Sequence, residues 1–246
     1  MKIASPRLLA RLAGLFFLVT IIGGIIAQGF ISERLIDFSD AVATANNILA
    51  NKGLFQIGFT VYLIEMACQV ITAALWYRLL SPVNRTLALV MLSVDLTGCV
   101  IKTFARVFYI TPLFVLGGAT ALSGLDAGQL QSISLILLRA NDYGAAIALA
   151  FFGLSTVMSG YLVFRSTYLP RWLGVLSMVS GLGWLTFFYP PLGYAVFMFA
   201  ALVGLLSAVA KIFWLLVFGV DEAKFRAVET RMNDQAPFAG TGRAFV

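Results

Sequence analysis

Long apolar runs, separated by short polar turns, dominate the chain. A transmembrane helix needs about 20 predominantly apolar residues, and six runs approach that length. The predicted spans are residues 9–31, 54–77, 86–108, 143–164, 172–188 and 194–220. The pattern predicts an all-α integral membrane protein, with a bundle of six transmembrane helices in residues 1–220. Residues 221–246 are predicted to form a polar cytoplasmic tail that ends in disorder.

One or two amphipathic surface helices are expected beside the bundle. Residues 39–50 show a helical period of apolar and polar positions, which indicates a helix flat on the membrane and a candidate lid. Its apolar stripe is Ala41, Val42, Ala45, Ile48 and Leu49, and its polar stripe is Asp40, Thr44, Asn47 and Asn51. Ser39 or Asp40 is the predicted N-cap, and Gly53 is the predicted end.

The segment 129–165 is longer than one span and leaves two interpretations. Either one helix protrudes from the membrane, or a surface helix ends near Arg139 and a new span starts at Asn141 and Asp142. We favour the second interpretation, because it gives a span of ordinary length with Asp142 as its N-cap.

Composition supports a membrane protein and removes several kinds of chemistry. The chain is 61% hydrophobic and 11% charged, with a mean hydropathy of +0.95, whereas soluble domains carry about 25% charged residues. It has no histidine, which excludes His-based triads, His-ligated haem and the usual zinc sites. Cys68 and Cys99 fall inside predicted spans and are interpreted as small buried residues. No metal, cofactor or nucleotide motif is found, so none of these ligands is predicted.

Basic residues are distributed unevenly between the two ends of the predicted spans. With the N-terminus in the cytoplasm, eleven lysines and arginines lie in inside segments, and two, Arg34 and Lys52, lie outside. This bias follows the positive-inside rule, and two cytoplasmic termini agree with an even number of spans. The basic N-terminus resembles a signal peptide, but the first run is interpreted as a retained helix because more spans follow. The net charge of +6 thus reflects topology and does not indicate nucleic-acid binding.

The third predicted span carries three charged residues on one face. Lys102 and Arg106 follow Asp95 by seven and eleven residues, which brings them within about 20° of the same direction on an α-helix. A charge at bilayer depth costs about 3 kcal/mol or more. This face is therefore expected to point into protein or water rather than into lipid.

The second predicted span carries a polar and aromatic stripe. Because a short turn joins it to the third span, the polar faces of the two helices are expected to meet. Arg139 and Asp142 are placed near the outer boundary of the fourth span. Together with the polar residues of the second and third spans, they are predicted to line one cavity that opens outward. The candidate ligand-binding residues are Glu65, Gln69, Asp95, Lys102, Arg106, Arg139 and Asp142.

The structural alternative is a bundle held together by buried ion pairs, such as Glu65 with Lys102 or Asp142 with Arg106. We favour a pocket, because ionisable residues inside a membrane often serve function. Lys211, about two turns from the inner end of the last predicted span, is interpreted as a side chain that snorkels to the interface.

Several short motifs lie between Asn141 and Leu176. They are Asp142-Tyr143-Gly144, Phe152-Gly153, Gly160-Tyr161-Leu162, and Tyr168-Leu169-Pro170 with Leu173-Gly174. This segment resembles the domain-of-unknown-function family 4386, a bacterial family of small multi-pass membrane proteins. The resemblance implies a bacterial cytoplasmic membrane protein and brings no established activity. No His-based role is transferred to the position beside Asp142, because this chain has Asn141 there.

Three classes of function remain. The leading hypothesis is an outward-facing polar pocket that binds or transports a small or amphipathic molecule, with membrane lipids as partners and no nucleic acid. The second is an integral-membrane enzyme on a lipid substrate, with Glu65 or Asp95 as acid or base. The third is a non-catalytic partner or sensor subunit.

Overall fold

The computed structural model describes residues 5–118, 122 and 124–235. Of these described residues 88% are helical, and none is in a strand. Helix α1, Pro6–Gly24, continues through a π-helical segment, Ile25–Ser32, into α2, Glu33–Leu35. The remaining helices are α3 Ala41–Ala50, α4 Lys52–Leu80, α5 Arg85–Ile110, α6 Pro112–Leu116, α7 Ala127–Arg165, α8 Arg171–Leu185, α9 Pro190–Ala195, α10 Phe197–Val217 and α11 Glu222–Gln235.

Among the described residues, five helical stretches are long and apolar enough to cross a membrane. They are Pro6–Leu35, Lys52–Leu80, Arg85–Leu116, Ala127–Arg165 and Phe197–Val217. The all-α fold is therefore confirmed, and five of the six predicted spans have a matching candidate span. The predicted span 172–188 corresponds to α8, which has only 15 residues, and the 3₁₀ turn Thr186–Phe188. The predicted start of the last span at residue 194 is displaced, since Pro190–Ala195 forms the separate short helix α9.

The two ends of the bundle differ in structure. One end, here called the turn end, carries the start of α1, the turn 81–84, the turn 166–170 and the end of α10. The opposite end, here called the cap, consists of α3, α6 and the loop 36–40 packed against the first half of α7. All positions inside the bundle can be described relative to these two ends.

The favoured interpretation of segment 129–165 is wrong, because α7 is one continuous helix of 39 residues. Its N-cap is Asp126, which forms a capping box with Gln129, whereas Asp142 lies in the helix interior. No proline interrupts the segment, and Asn141 and Asp142 are held by tertiary partners instead of starting a new helix. At 1.5 Å per residue α7 is about 58 Å long, nearly twice the hydrocarbon thickness, so its first half extends into the cap.

The predicted surface helix exists, and Asp40 caps it by accepting a hydrogen bond from the Ala43 amide at 2.9 Å. The face that packs on the protein takes residues from both predicted stripes. Thr44, Ala45 and Ile48 are buried, whereas Val42 and Leu49 from the predicted apolar stripe are exposed. Thr44 is buried because its hydroxyl donates to the Asp37 carbonyl and accepts from the Asp37 amide, each at 2.8 Å. The helix thus packs on the protein, and the loop 36–40 holds it there.

The predicted end of α3 and the predicted structure of the tail also need correction. Helix α3 ends at Ala50 with Asn51 as its C-cap, and Gly53 belongs to the first turn of α4. The tail after Asp221 begins with the helix α11, whose Phe225 packs against Tyr168 at a ring-centroid distance of 5.1 Å. The expected disorder at the end of the tail concerns residues 236–246, which lie outside the described part of the chain.

Candidate functional site within the bundle

The charged face of α5 points into the bundle, but its side chains belong to three separate groups. Asp95 lies nearer the turn end, and Lys102 and Arg106 follow it toward the cap by about 10 Å and 16 Å along the helix axis. Asp95 contacts Gln69 and Ser155, Lys102 contacts Glu65, and Arg106 contacts Asn141. The prediction that all candidate residues line a single cavity therefore needs correction.

The Asp95 carboxylate is held by neutral donors. Gln69 Nε2 donates to its Oδ1 at 3.0 Å, and Ser155 Oγ donates to its Oδ2 at 2.7 Å. The Cys99 thiol, one turn further along α5, lies 3.9 Å from Oδ1. Within the described part of the chain, no lysine or arginine lies within salt-bridge distance of Asp95. The carboxylate consequently keeps its hydrogen bonds whether or not a cation is nearby.

A small cavity, here called the Asp95 cavity, lies beside this carboxylate. It has a volume of about 50 Å³ and is lined by Asp95, Lys211, Gln69, Thr72, Ser155, Thr156 and Ser159, with apolar side chains completing its wall. Each enclosed water needs about 10–15 Å³, so the space suits a few water molecules or a solute of that size. The cavity lies between five helices, α1, α4, α5, α7 and α10, and several of its lining side chains are small hydroxyls.

Lys211 does not have the position that the snorkelling interpretation gave it. Its side chain lines the same cavity as Asp95, and its Nζ lies 5.3 Å from the centroid of the Phe17 ring. The neighbouring α1 face offers the ammonium a π surface, while the cavity offers it polar oxygens. An acid and a base thus face one small space without a direct salt bridge in the described residues.

Glu65 and Lys102 form the buried ion pair that the structural alternative proposed. Lys102 Nζ lies 2.7 Å from Glu65 Oε1, and the side chains are only 16% and 6% exposed, respectively. Gly24 of α1 makes room for the carboxylate, since an added Cβ would come within 3.2 Å of Glu65 Oε1. The second oxygen, Oε2, has no hydrogen-bond partner among the described residues.

Arg106 forms the third group, but not with the acid predicted for it. Its Nη1 donates to Asn141 Oδ1 at 2.8 Å, and its guanidinium lies 3.6 Å from the centroid of the Tyr62 ring. Asp142 instead accepts a hydrogen bond from the Tyr194 hydroxyl at 2.7 Å. Burial, together with the Asp142 carboxylate, raises the pKa of Tyr194, so this tyrosine remains a hydroxyl donor at neutral pH.

The π-helical segment adds polar residues that the sequence analysis did not find. Tyr62 OH donates to Gln28 Oε1 at 2.6 Å and lies 3.1 Å from Ser32 Oγ. Ser32 Oγ also donates to Tyr109 OH at 3.4 Å. Gln28 is a lone amide in an otherwise apolar run. This isolated polar residue is the feature of the sequence that could have indicated a buried polar contact. π-helical turns are frequently found at functional sites, and here the turn directs Gln28 and Ser32 toward α4.

Arg139 lies in the cap, away from the other candidate residues. Its Nη2 donates to the carbonyl of Phe38 at 2.7 Å, and its guanidinium lies 5.2 Å from the centroid of the Phe38 ring. It therefore fastens the loop 36–40 to α7. Its side chain is exposed, which agrees with a fastening role and not with a place in a shared cavity.

The groups in the bundle differ in the chemistry that their contacts allow. Within residues 5–118, 122 and 124–235, no three His, Cys, Asp or Glu side chains approach closely enough to hold a metal ion. Neutral hydroxyl and amide donors around Asp95 can stabilise either protonation state of the carboxylate. The buried Glu65–Lys102 pair, by contrast, requires both charges to be present.

Comparison with protein families matches residues 12–219 to the domain of unknown function (DUF4386). The match covers most of the chain. The chain belongs to this family. No curated protein and no solved structure matches it. Family membership confirms the resemblance seen in the sequence and assigns no activity.

The motifs that resembled the DUF4386 family mainly serve packing in this member. Gly144 lies against Ala105, where an added Cβ would approach within 2.6 Å of the alanine Cβ. Gly160 and Gly174 bring the backbones of α7 and α8 into contact. Tyr168 reaches from the turn 166–170 to donate a hydrogen bond to the Leu79 carbonyl. Only Asp142 of these motifs carries a charge, and its partner is Tyr194.

Proposed function

We propose that this membrane protein binds or moves a small polar solute at the Asp95 cavity, with occupancy linked to protonation of Asp95. The observation that carries the proposal is a polar cavity of about 50 Å³ inside an apolar bundle, lined by one acid and one base. Polar and ionisable groups inside membranes are costly and commonly mark solute or proton pathways.

The size of the cavity narrows the class of solute. Typical pockets for drug-sized ligands have volumes of about 300–1,000 Å³, several times the volume beside Asp95. A few waters or one small dipolar solute fit, whereas an amphipathic molecule does not. The sequence-based hypothesis of a small or amphipathic ligand is therefore narrowed to a small one.

Proton exchange is the second part of the proposal. Asp95 and Lys211 line the cavity from two different helices, so water between them would connect an acid to a base. A proton can then neutralise Asp95 without breaking a salt bridge, because its bonds come from Gln69 and Ser155. The Glu65–Lys102 pair and the Arg106 group are assigned structural roles in this proposal.

Topology belongs to the same proposal. We propose that α8 and its 3₁₀ extension provide the sixth span, because α8 packs against the span helices α7 and α10. We further propose a bacterial inner membrane location with both termini in the cytoplasm, from the distribution of basic residues. The turn end is then cytoplasmic. The Asp95 cavity accordingly lies in the inner half of the bundle, and not in an outward-facing pocket.

Single cysteines test this orientation. In a background without Cys68 and Cys99, Asn46→Cys in the cap is expected to react with a membrane-impermeant thiol reagent added outside intact cells. Ser81→Cys at the turn end is expected to react only after permeabilisation. The opposite pattern would reverse the orientation and place the cavity in the outer half.

Solute movement tests the function. The purified chain is reconstituted in vesicles, and swelling after a gradient of urea, glycerol or an ammonium salt is followed by light scattering, with a trapped dye reporting internal pH. We expect faster entry of at least one solute than in empty vesicles, with a pH dependence that Asp95→Asn removes. Equal rates in loaded and empty vesicles for every solute would contradict the proposal.

A matched pair of variants locates the route. Ser159 lines the cavity, whereas Ser93 lies on the exposed face of α5. Ser159→Leu is expected to fill the cavity and stop solute entry, while Ser93→Leu adds the same side chain on the outside and leaves entry unchanged. Equal effects of both substitutions would show that solutes do not pass the Asp95 cavity.

A further inference from the structure

A second and larger concave site lies at the turn end of the bundle, between the first turn of α1 and the start of α11. This groove has a volume of about 700 Å³, which is within the range of about 300–1,000 Å³ seen for ligand sites. It shares no lining residue with the Asp95 cavity. Binding in the groove would therefore be independent of binding in the Asp95 cavity.

The groove lies at the ends of two candidate membrane spans. It contacts Arg7 at the start of one candidate membrane span, and Trp214 and Phe218 at the end of another. Trp214 packs against Phe218 at 4.6 Å and against Trp172 at 6.1 Å between ring centroids. Phe218 and Trp172 are about half exposed. Aromatic side chains of this kind characterise membrane–water interfaces.

The backbone fixes the shape of the groove. Gly219 has a φ of +68°, a conformation that favours glycine, and it turns the chain from α10 toward α11. The Asp221 amide then donates to the Tyr168 carbonyl at 3.3 Å, which holds the start of α11 beside the turn 166–170. An added Cβ at Gly219 would approach Arg7 Cγ to 3.1 Å, so the glycine also lets α1 come close.

The α1 wall of the groove carries one base, and the α11 wall carries two acids together with Lys224. Arg7 on the α1 wall is exposed and forms no salt bridge within the described part of the chain. Asp221 and Glu222 lie on the α11 wall, in exposed pairs with Lys224 at 3.2 Å and Arg226 at 4.0 Å. Hydrogen bonds from the backbone and side chain of Lys224 lower the pKa of Asp221, so this carboxylate is charged at neutral pH. Exposed pairs of this kind are weak and can exchange partners with a ligand.

We infer that this groove binds the headgroup of a zwitterionic phospholipid with a primary ammonium, the chemistry of phosphatidylethanolamine. Arg7 binds the phosphate, because guanidinium matches the geometry of phosphate oxygens. Asp221 and Glu222 accept hydrogen bonds from the ammonium. The exposed rings of Phe218 and Trp172 contact the acyl chains. A phosphatidylglycerol headgroup has no cation for the two carboxylates, and a quaternary ammonium has no N–H to donate.

Native mass spectrometry of the full chain tests the inference. The delipidated protein in detergent is mixed with equal amounts of phosphatidylethanolamine, phosphatidylcholine and phosphatidylglycerol that have the same acyl chains. We expect phosphatidylethanolamine to be retained about threefold or more above each of the others, as charge-assisted hydrogen bonds at both ends of the headgroup would give. Glu222→Gln should remove most of this preference, because it removes an acceptor for the ammonium. Arg7→Gln should lower the retention of all three lipids, because each of them carries the phosphate that Arg7 binds.

Arg11→Gln is the matched control, because Arg11 is an exposed base one turn further along α1 that does not line the groove. Its lipid retention and lipid preference should both equal those of the wild type. Preferential retention of phosphatidylglycerol would overturn the inference in favour of a simple anionic-lipid surface. Equal retention of all three lipids by the wild type, a preference unchanged in Glu222→Gln, or retention unchanged in Arg7→Gln would overturn it as well.

Discussion

The α7–α8 interface and the α4–α5 side of the bundle hold helices together in opposite ways. At the α7–α8 interface glycines let the backbones touch, since an added Cβ on Gly174 would lie 2.6 Å from the Gly160 carbonyl oxygen. A Cβ on Gly181 would lie 2.7 Å from the Gly153 carbonyl oxygen. On the other side, the face of α5 carries Asp95, and its neighbours are hydrogen-bonding side chains.

The difference shows what each side can do. In a membrane, close packing of small residues associates helices without burying any charge, and such contacts are indifferent to pH and to solutes. Charged groups are costly at the same depth, so packing alone gives no reason for their presence. The glycine interface is therefore the closely packed side of the bundle, and the polar side is where binding chemistry is expected.

The largest effect is expected from breaking the buried ion pair. Lys102→Met leaves the Glu65 carboxylate, 6% exposed, without its cation, and breaking a buried pair from one side costs about 3–5 kcal/mol. The free energy of unfolding in mixed micelles, measured by titration with sodium dodecyl sulfate, should fall by that amount. Glu65→Met combined with Lys102→Met should recover much of the loss. A single variant as stable as the wild type would remove the structural role of this pair.

A smaller loss is expected at the glycine interface. Gly174→Ala forces a Cβ against the backbone of α7, and overpacking of this kind costs about 1–3 kcal/mol. Gly53→Ala is the control, because an added Cβ there meets nothing within 4 Å and alanine favours a helix by about 0.8–1 kcal/mol over glycine. The two substitutions should change the free energy of unfolding in opposite directions. Equal stability of both variants would contradict the close packing of α7 and α8.

The smallest effect on global stability is expected in the cap. Arg139→Gln removes the guanidinium that donates to the Phe38 carbonyl, and at this exposed position the loss should be about 1 kcal/mol. Hydrogen exchange should become faster in the loop 36–40 and in α3, and stay unchanged in α7 and α8. Arg34→Gln is the control, as Arg34 is also an exposed arginine of the same end. Unchanged exchange in Arg139→Gln would show that the cap is held without this contact.

Much of the architecture could be predicted because it depends on local patterns. Long apolar runs predict five of the candidate spans, and residue type predicts Ser39 or Asp40 as the cap of α3, which is Asp40. The spacing of Asp95 and Lys102 predicts the charged face of α5. The Glu65–Lys102 pair was foreseen as one alternative, because a short turn places α4 beside α5. Each of these features follows from helix geometry and chain connectivity.

The remaining features depend on how the helices rotate and pack against one another, which the pattern of apolar and polar residues does not determine. Asn141 and Asp142 point about 100° apart on a helix, and only the rotation of α7 decides that Arg106 meets Asn141. Lys211 has a stem long enough to reach either the interface or the centre. The π-helical segment changes the helical phase, so Gln28 and Ser32 could not be placed by counting turns. The sequence does not predict that α7 is continuous, because an aspartate such as Asp142 can either cap a new helix or bond a side chain of another helix.

The most direct test concerns the coupling between Asp95 and Lys211 across their cavity. The free energies of unfolding of Asp95→Asn, Lys211→Met and the double variant give this coupling energy. If water screens the two charges, we predict a coupling below about 1 kcal/mol and near-normal stability of Asp95→Asn, since Gln69 and Ser155 can still bond its side chain. A loss of about 3–5 kcal/mol in Asp95→Asn that Lys211→Met restores would indicate a dry buried pair. That result would contradict the Asp95 cavity as a solute site.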